Sequence, residues 1–467
     1  MPQNFLSCDR DQVLLMAPSL ADWLPVDHFV WFVLAAVDEM ELGPFYRVYR
    51  EDGHGRAAHD PKMMVALVLY AYATGRRSSR VIERGCVEDV AFRVIAANSA
   101  PDHTTIARFR QRHEQALADL FGDVLALCAD AGLASVEVVA VDGTKLHANA
   151  SRDATRDYQQ IAKEILEQAD AIDREEDERF GDARGDELPE FLSTHQGRRG
   201  WLRDAKRRLD AKREQEARPI AKSRPARLRE SKRRLEEELK VEQETNRDYE
   251  NYRAGGVDKN GRGFGKPPKP YTPPDTPSGK INVTDPDSQL VKGMRGWIQG
   301  YNAQAAVNEH QIVLAAEVST ASPDFGLLEP MLLAAKRELQ AAGVTDTPGL
   351  ALADAGYWHQ EQMERIVSRG TQVLIPPDSS QRKGTRPGWD GGLYAFMRRV
   401  LETDTGHQLY RKRQGMIEPL FAHTKYNRRM DRFLRRGRSA ARSEWRLITA
   451  THNLQKLYSH QQRLATA

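Results

Sequence analysis

Cysteine is scarce in this chain: Cys8, Cys86 and Cys128 are its three, without a Cys-x-x-Cys spacing. That excludes a disulfide framework and a thiolate zinc site. Long apolar runs are missing too. Phe29 to Val37 and Met63 to Ala73 are the longest, and both fall short of the roughly 20 residues that cross a bilayer. They read as buried helices, and no membrane partner is predicted. The segment MPQNFLSCDRDQVLLMAP has no cationic stretch leading into an apolar core with a small-residue cleavage site. Export is not expected, and the cytoplasm is the default compartment. What the chain does have is 467 residues with 40% hydrophobic content, enough for a sizeable core divided among two to four domains.

The net charge of +3 conceals an uneven distribution. Between Arg411 and Arg446 stand twelve basic residues against three acidic ones, Glu418, Asp431 and Glu444. An excess of that size suits a polyphosphate partner. Residues from about 20 to 133 show apolar side chains at three- and four-residue spacing, which predicts helices throughout. Within them, Pro101 and Asp102 precede a short basic helix that carries Thr104, Arg108, Arg110 and Arg112 beside apolar Ile106 and Phe109. A basic helix after a turn is how helix-turn-helix proteins reach the major groove, although many helical bundles contain such a segment.

Three carboxylates carry the chemistry. Asp142 closes the β-branched run VEVVAVDGT and Asp354 closes GLALADAGY, so each is expected just past a strand, where ligand sites gather in open α/β sheets. An aspartate there is also an ordinary turn residue. Glu418 precedes Pro419, which belongs in a first helical turn, so a helix is predicted to start near Ile417 with Lys425 two turns along the same face. From about Arg152 to Glu250 the chain is densely charged at helical spacing, with Pro219 and Pro225 as breaks, and 254–280 is rich in Gly, Pro and Lys. The remainder alternates strands and helices, which implies a mixed α/β sheet. His147 reads as an orienting or surface residue. Asp285, Asp287 and Asp324 are candidates to assist metal binding, although they also lie in ordinary turn and cap sequences, and Asn302 and Gln304 have no evident chemical task.

Taken together, DGTKLHANAS at 142–151, NVTDPDSQ at 282–289, GYNAQAAV at 300–307, ADAGY at 353–357 and the block from Tyr410 to Leu457 resemble the DDE transposases of bacterial insertion sequences. Many of these enzymes space a Tyr, an Arg, the last catalytic Glu and a Lys with two, three and six residues between them. Tyr410, Arg413, Glu418 and Lys425 give two, four and six. The helical region with PDHTTIARFRQRH is similar to the N-terminal domain of one group of these proteins.

The resemblance implies an RNase H-like mixed sheet as catalytic core, with an all-helical N-terminal DNA-binding domain over 1–133. The first core strand falls in 134–151, a charged helical insertion and linker in 152–280, and the rest of the catalytic domain, with basic C-terminal helices, in 281–467. It implies Asp142, Asp354 and Glu418 as catalytic and metal-binding residues for two Mg²⁺ ions, with Mn²⁺ able to substitute. Tyr410, Arg411, Arg413, Lys425, Arg428, Arg429 and Arg432 would meet DNA phosphates. The partners would be the element's terminal inverted repeats and target DNA, bound by a homodimer or larger assembly in a bacterial, nucleoid-associated setting. The rival is a catalytically inactive or domesticated transposase that only binds DNA.

Overall fold

The computed structural model describes residues 19–49, 57–172, 198–216, 220–221, 223–256, 264, 269–274, 276–293, 296–378 and 391–466. Its first part is helical: α1 (Phe29–Asp38), α2 (Gly43–Tyr46), α3 (Pro61–Ala73), α4 (Ser79–Glu88), α5 (Val90–Ile95), α6 (His103–Arg112) and α7 (Glu114–Asp130). Local signals set the starts. Asp60 accepts the Lys62 amide, and Pro61 supplies a preset φ to α3. Asp102 accepts the amides of Thr104 and Thr105 at 2.8 and 3.0 Å, so α6 begins where the sequence places it. Helix α3 is buried around nearly its whole circumference, which accounts for its unbroken apolar run.

Strands then follow: β1 (Val138–His147), β2 (Thr155–Asp157), β3 (Lys280–Asn282), β4 (Gln289–Gly293), β5 (Gly296–Asn308), β6 (Val313–Ser319), β7 (Leu350–Leu352) and β8 (Gln372–Leu374). The long β5 pairs along one edge first with β4 and then with β6, and along the other with β1. The order β6-β5-β1-β7-β8, with β5 antiparallel and β7 and β8 parallel to β1, is the RNase H-like arrangement that the sequence implies.

Strand β1 differs from expectation by running on past Asp142, because its pairing with β5 continues from Asp142↔Ala305 to His147↔Gly300. Glycine makes this close approach possible: a Cβ on Gly300 would stand 2.3 Å from the Leu146 carbonyl oxygen. Asp142 thus lies inside a strand. What ends beside it is the pairing with β7.

Between β1 and β5 lies the charged insertion, with α8 (Tyr158–Ile172), α9 (Arg198–Glu216) and α10 (Arg224–Ala254). Ile161, Leu228, Leu235, Ile281 and Val283 form a small core of their own there. Pro225 sits in the first turn of α10, as a helix break requires, while Pro219 lies outside the described residues. Arg234 of α10 ties the insertion to the sheet through Asp287 at 2.5 Å.

The remaining helices are α11 (Leu328–Ala341), α12 (Gln360–Ser368), α13 (Gly392–Glu402), α14 (Asp404–Ala422) and α15 (Arg438–Thr466). Helix α15 packs against α3, α7 and β6, so one apolar cluster runs from Val30 to Leu457 and joins the helical region to the sheet. Its Asn453 amide bonds both the N–H and the C=O of Val313, at 2.8 and 2.9 Å. Among the described residues no helix is long and apolar enough to cross a membrane.

Helix α14 corrects the reading of Pro419, which lies inside it rather than at a helix start. A mid-helix proline leaves the carbonyl four residues back without its usual donor. That carbonyl belongs to Gly415, and it accepts Gln311 Nε2 at 2.7 Å instead. With the lost bond replaced from another element, the helix continues to Ala422 and passes into a π turn over His423–Asn427. Glu418 therefore stands near the C-terminal, negative end of the helix dipole, opposite to the expectation.

Candidate active site

Asp142 and Asp354 are brought together by sheet register. The parallel partners Val138 and Leu350, Val139 and Ala351, and Ala140 and Leu352 are each 212 positions apart. Asp142 and Asp354 are separated by the same 212, two residues beyond the last pair and on the side of Ala140 and Leu352. Their charges feel each other. Burial, opposed by Arg413 and reinforced by Asp354, pushes the Asp142 carboxyl up to about 6. Asp354 is raised as well, first by burial and then by Asp324, while its bond from the Gly356 amide at 2.8 Å works the other way.

Helix α14 lies on β1 and β5 and delivers Arg413, whose Nη1 meets Asp142 Oδ2 at 2.8 Å. The guanidinium also stands 5.8 Å from the centre of the Tyr410 ring. Arg413 is thus paired with Asp142, with four residues between it and Glu418. Glu418 itself is exposed. Lys425 is half-buried in the π turn, and burial holds its ammonium below the usual lysine range, with Asp431 and Lys145 as charged neighbours.

Asp324, which the sequence offers as a metal-assisting carboxylate or a turn residue, forms a hub whose partners the sequence does not show. Lys145 Nζ reaches it at 3.1 Å, and Asn302 Nδ2 and Gln304 Nε2 both donate to its Oδ1 at 2.8 Å. Tyr357, three residues past Asp354, donates its hydroxyl to Gln304 Oε1. One carboxylate thus links DGTK, GYNAQ and ADAGY. A signal was available: Asn302 and Gln304 are polar at alternate positions of an otherwise apolar strand, and buried polar groups require partners. Tyr357→Phe should leave the Gln304 oxygen unpaired, costing about 1–3 kcal/mol and lowering DNA cleavage; a thermal melt with a cleavage assay checks this.

Other residues named from sequence scatter. Arg411, Arg429 and Arg432 are exposed. Arg428 is 4% exposed and donates to the Ile448 carbonyl and to Thr451 and Thr424 hydroxyls, so it faces the protein interior. Part of the local positive excess is balanced over long range, by Glu317 on Arg442, Glu338 on Arg446 and Glu114 on Arg435. On α6, Thr104 and Arg108 are exposed, Arg112 lies over Tyr49, and Arg110 is spent on Ser79 Oγ and the Arg77 carbonyl at 2.6 and 2.7 Å. A cleft of about 1060 Å³ between Gln115, Arg233 and Arg436 contains neither aspartate.

Among the described residues, no three His, Cys, Asp or Glu side chains are grouped closely enough to hold a metal ion. The adjacent pair Asp142 and Asp354 nevertheless fits a hard divalent cation in donor chemistry: two partly buried carboxylates, each raised first by burial and further by a neighbouring negative charge.

Two family models match the chain, a transposase domain (DUF772) over residues 18–112 and a transposase DDE domain over residues 278–454. No curated protein and no solved structure matches it. The chain belongs to the DDE transposases of insertion sequences. It is a transposase, of a family that acts on DNA and generally uses divalent metal ions.

Proposed function

We propose that Asp142 and Asp354 are the metal-binding carboxylates of DNA strand cleavage and strand transfer at the ends of an insertion sequence. The observation that carries this reading is their shared level in the β1–β7 register, with Arg413 placed on Asp142. Glu418 is the proposed third carboxylate, five residues beyond Arg413 on α14 and so about 7.5 Å further along its axis. Two Mg²⁺ ions, or Mn²⁺ in their place, would supply an activated oxygen nucleophile and neutralise charge on the leaving oxygen.

The chain's own groups bind and orient. Arg413 offers a planar donor fork to the reacting phosphate, and Lys425 a point charge. Tyr410 supports the Arg413 guanidinium from its ring face. Water first displaces the DNA 3′-oxygen from the phosphate, leaving a 3′-hydroxyl at the element's end and a 5′-phosphate on the flank. That hydroxyl then attacks a target phosphodiester, and a target 3′-hydroxyl leaves. Exposed Arg411, Arg429 and Arg432 add salt-sensitive backbone affinity, with Arg108 and Arg112 of α6 as further contacts. Because two ends are processed together, the working form is a dimer or larger assembly.

Cleavage and joining of DNA carrying the element's ends with Mg²⁺ tests the assignment. Glu418→Gln and Asp354→Asn should each lose at least about a thousandfold in rate while still binding the ends. Full activity in Glu418→Gln would move the third carboxylate elsewhere, Asp324 first. A wild type that binds the ends without cutting would restore the DNA-binding-only reading.

A further inference from the structure

A contact chain runs from the insertion to the segments that carry Asp324 and Asp354. Arg207 of α9 is exposed, and its guanidinium carbon lies 5.9 Å from the centre of the Phe325 ring. Phe325 in turn stacks on His359, with ring centroids 4.7 Å apart and planes inclined by 18°. Phe325 directly follows Asp324, and His359 lies five residues past Asp354. The stack therefore joins the insertion to both acidic segments at once.

The turn beneath it is closely held. The Leu327 amide bonds the Asp324 carbonyl at 3.1 Å, and Gln362 Nε2 donates to the Gly326 carbonyl at 2.9 Å. Gly326 has φ +81, and a Cβ there would stand 3.4 Å from Arg207 Nη2, so glycine serves both the turn and the approach of the arginine.

We propose that the charged insertion is a positioning element for the active site, in which Arg207 seats Phe325 on His359 and so holds the Asp324 turn against the Asp354 loop. A cation over an aromatic face is favourable and directional, and it survives at a partly exposed site. Arg207 touches none of the proposed reacting groups and acts through Phe325. This rests on the assignment of Asp142 and Asp354 above.

The test compares full-length wild type with Arg207→Ala, Arg207→Lys, Phe325→Leu and the Arg207→Ala/Phe325→Leu pair. Measurements are kcat for cleavage at saturating DNA, DNA affinity by anisotropy, Mn²⁺ affinity by titration, and amide hydrogen exchange over 320–330 and 354–360. Arg207→Ala should lower kcat about two- to fivefold and weaken Mn²⁺ binding by a similar factor, with DNA affinity unchanged and exchange quickened in both segments. Arg207→Lys should recover most of the loss, and the double variant should lose little beyond either single one. Unchanged exchange and Mn²⁺ affinity in a folded Arg207→Ala would overturn the proposal. So would a loss confined to DNA affinity, which would make Arg207 a phosphate contact. Failure of the underlying assignment looks different: Asp142→Asn would leave Mn²⁺ affinity intact, whereas the exchange comparison still decides the role of Arg207.

Discussion

Asp142→Asn should melt at a higher temperature than the wild type at pH 7.5 in metal-free buffer, while its DNA cleavage falls by at least about a thousandfold. The sign follows from burial. The folded-state value of Asp142 is about 6 against an ordinary aspartate near 3.9, so folding favours the protonated form. Its destabilising effect is absent well below pH 4, grows as pH rises from about 4 to 6, and is complete above that. With the side chain 19% exposed, a shift of about two units corresponds to on the order of 2–3 kcal/mol. Asparagine has a similar shape and no charge to desolvate. Millimolar Mg²⁺ should raise the wild-type melting temperature and leave the variant's unchanged. A variant that melts below the wild type at pH 7.5 would show that the Arg413 pairing outweighs the burial of charge.

The second large effect falls on the neighbouring glycine. Gly143→Ala should lose about a hundredfold or more in cleavage and destabilise the protein by about 1–3 kcal/mol, although no proposed metal ligand is altered. A Cβ at this position would stand 2.1 Å from Gln304 Nε2, 2.7 Å from Asn302 Oδ1 and 2.8 Å from Asp324 Oδ1. These are side-chain ends, yet Gln304 and Asn302 are buried and bonded to one another at 2.9 Å, so neither can swing aside freely. Relief would have to come from breaking the hub or shifting β1 against β5. Cleavage kinetics and thermal melts on the purified variant decide it: normal activity with an unchanged melt would mean that the hub yields without consequence.

How much of this was legible in the sequence depended on the range of the interactions. The β5–β6 hairpin, the starts of α6 and α10, and the helical character of the first part are written in local spacing and caps. The separation of Asp142 from Asp354 is visible too, but as a bare number. It becomes a register only once Val138 is known to pair with Leu350. Pro419 misled because the donor that rescues the Gly415 carbonyl, Gln311, lies over a hundred positions away. The basic block was over-read for the same reason, since Glu114, Glu317 and Glu338 are distant in the chain. Asp324 was visible as a candidate, but its role as a hub was not, because its partners Lys145, Asn302 and Gln304 mark it only in three dimensions.

Helix α15 sets an order of assembly on the ribosome. Trp445, wholly buried and bonded to the Gln304 carbonyl at 2.8 Å, and Asn453 on Val313 complete packing that α3, α7 and β6 begin. They emerge about 300 residues after β1, which at roughly 5–20 residues per second is about 15–60 s of translation. For that interval the apolar faces that α15 covers lack their cover, and the hub lacks the bond from Trp445 to the Gln304 carbonyl.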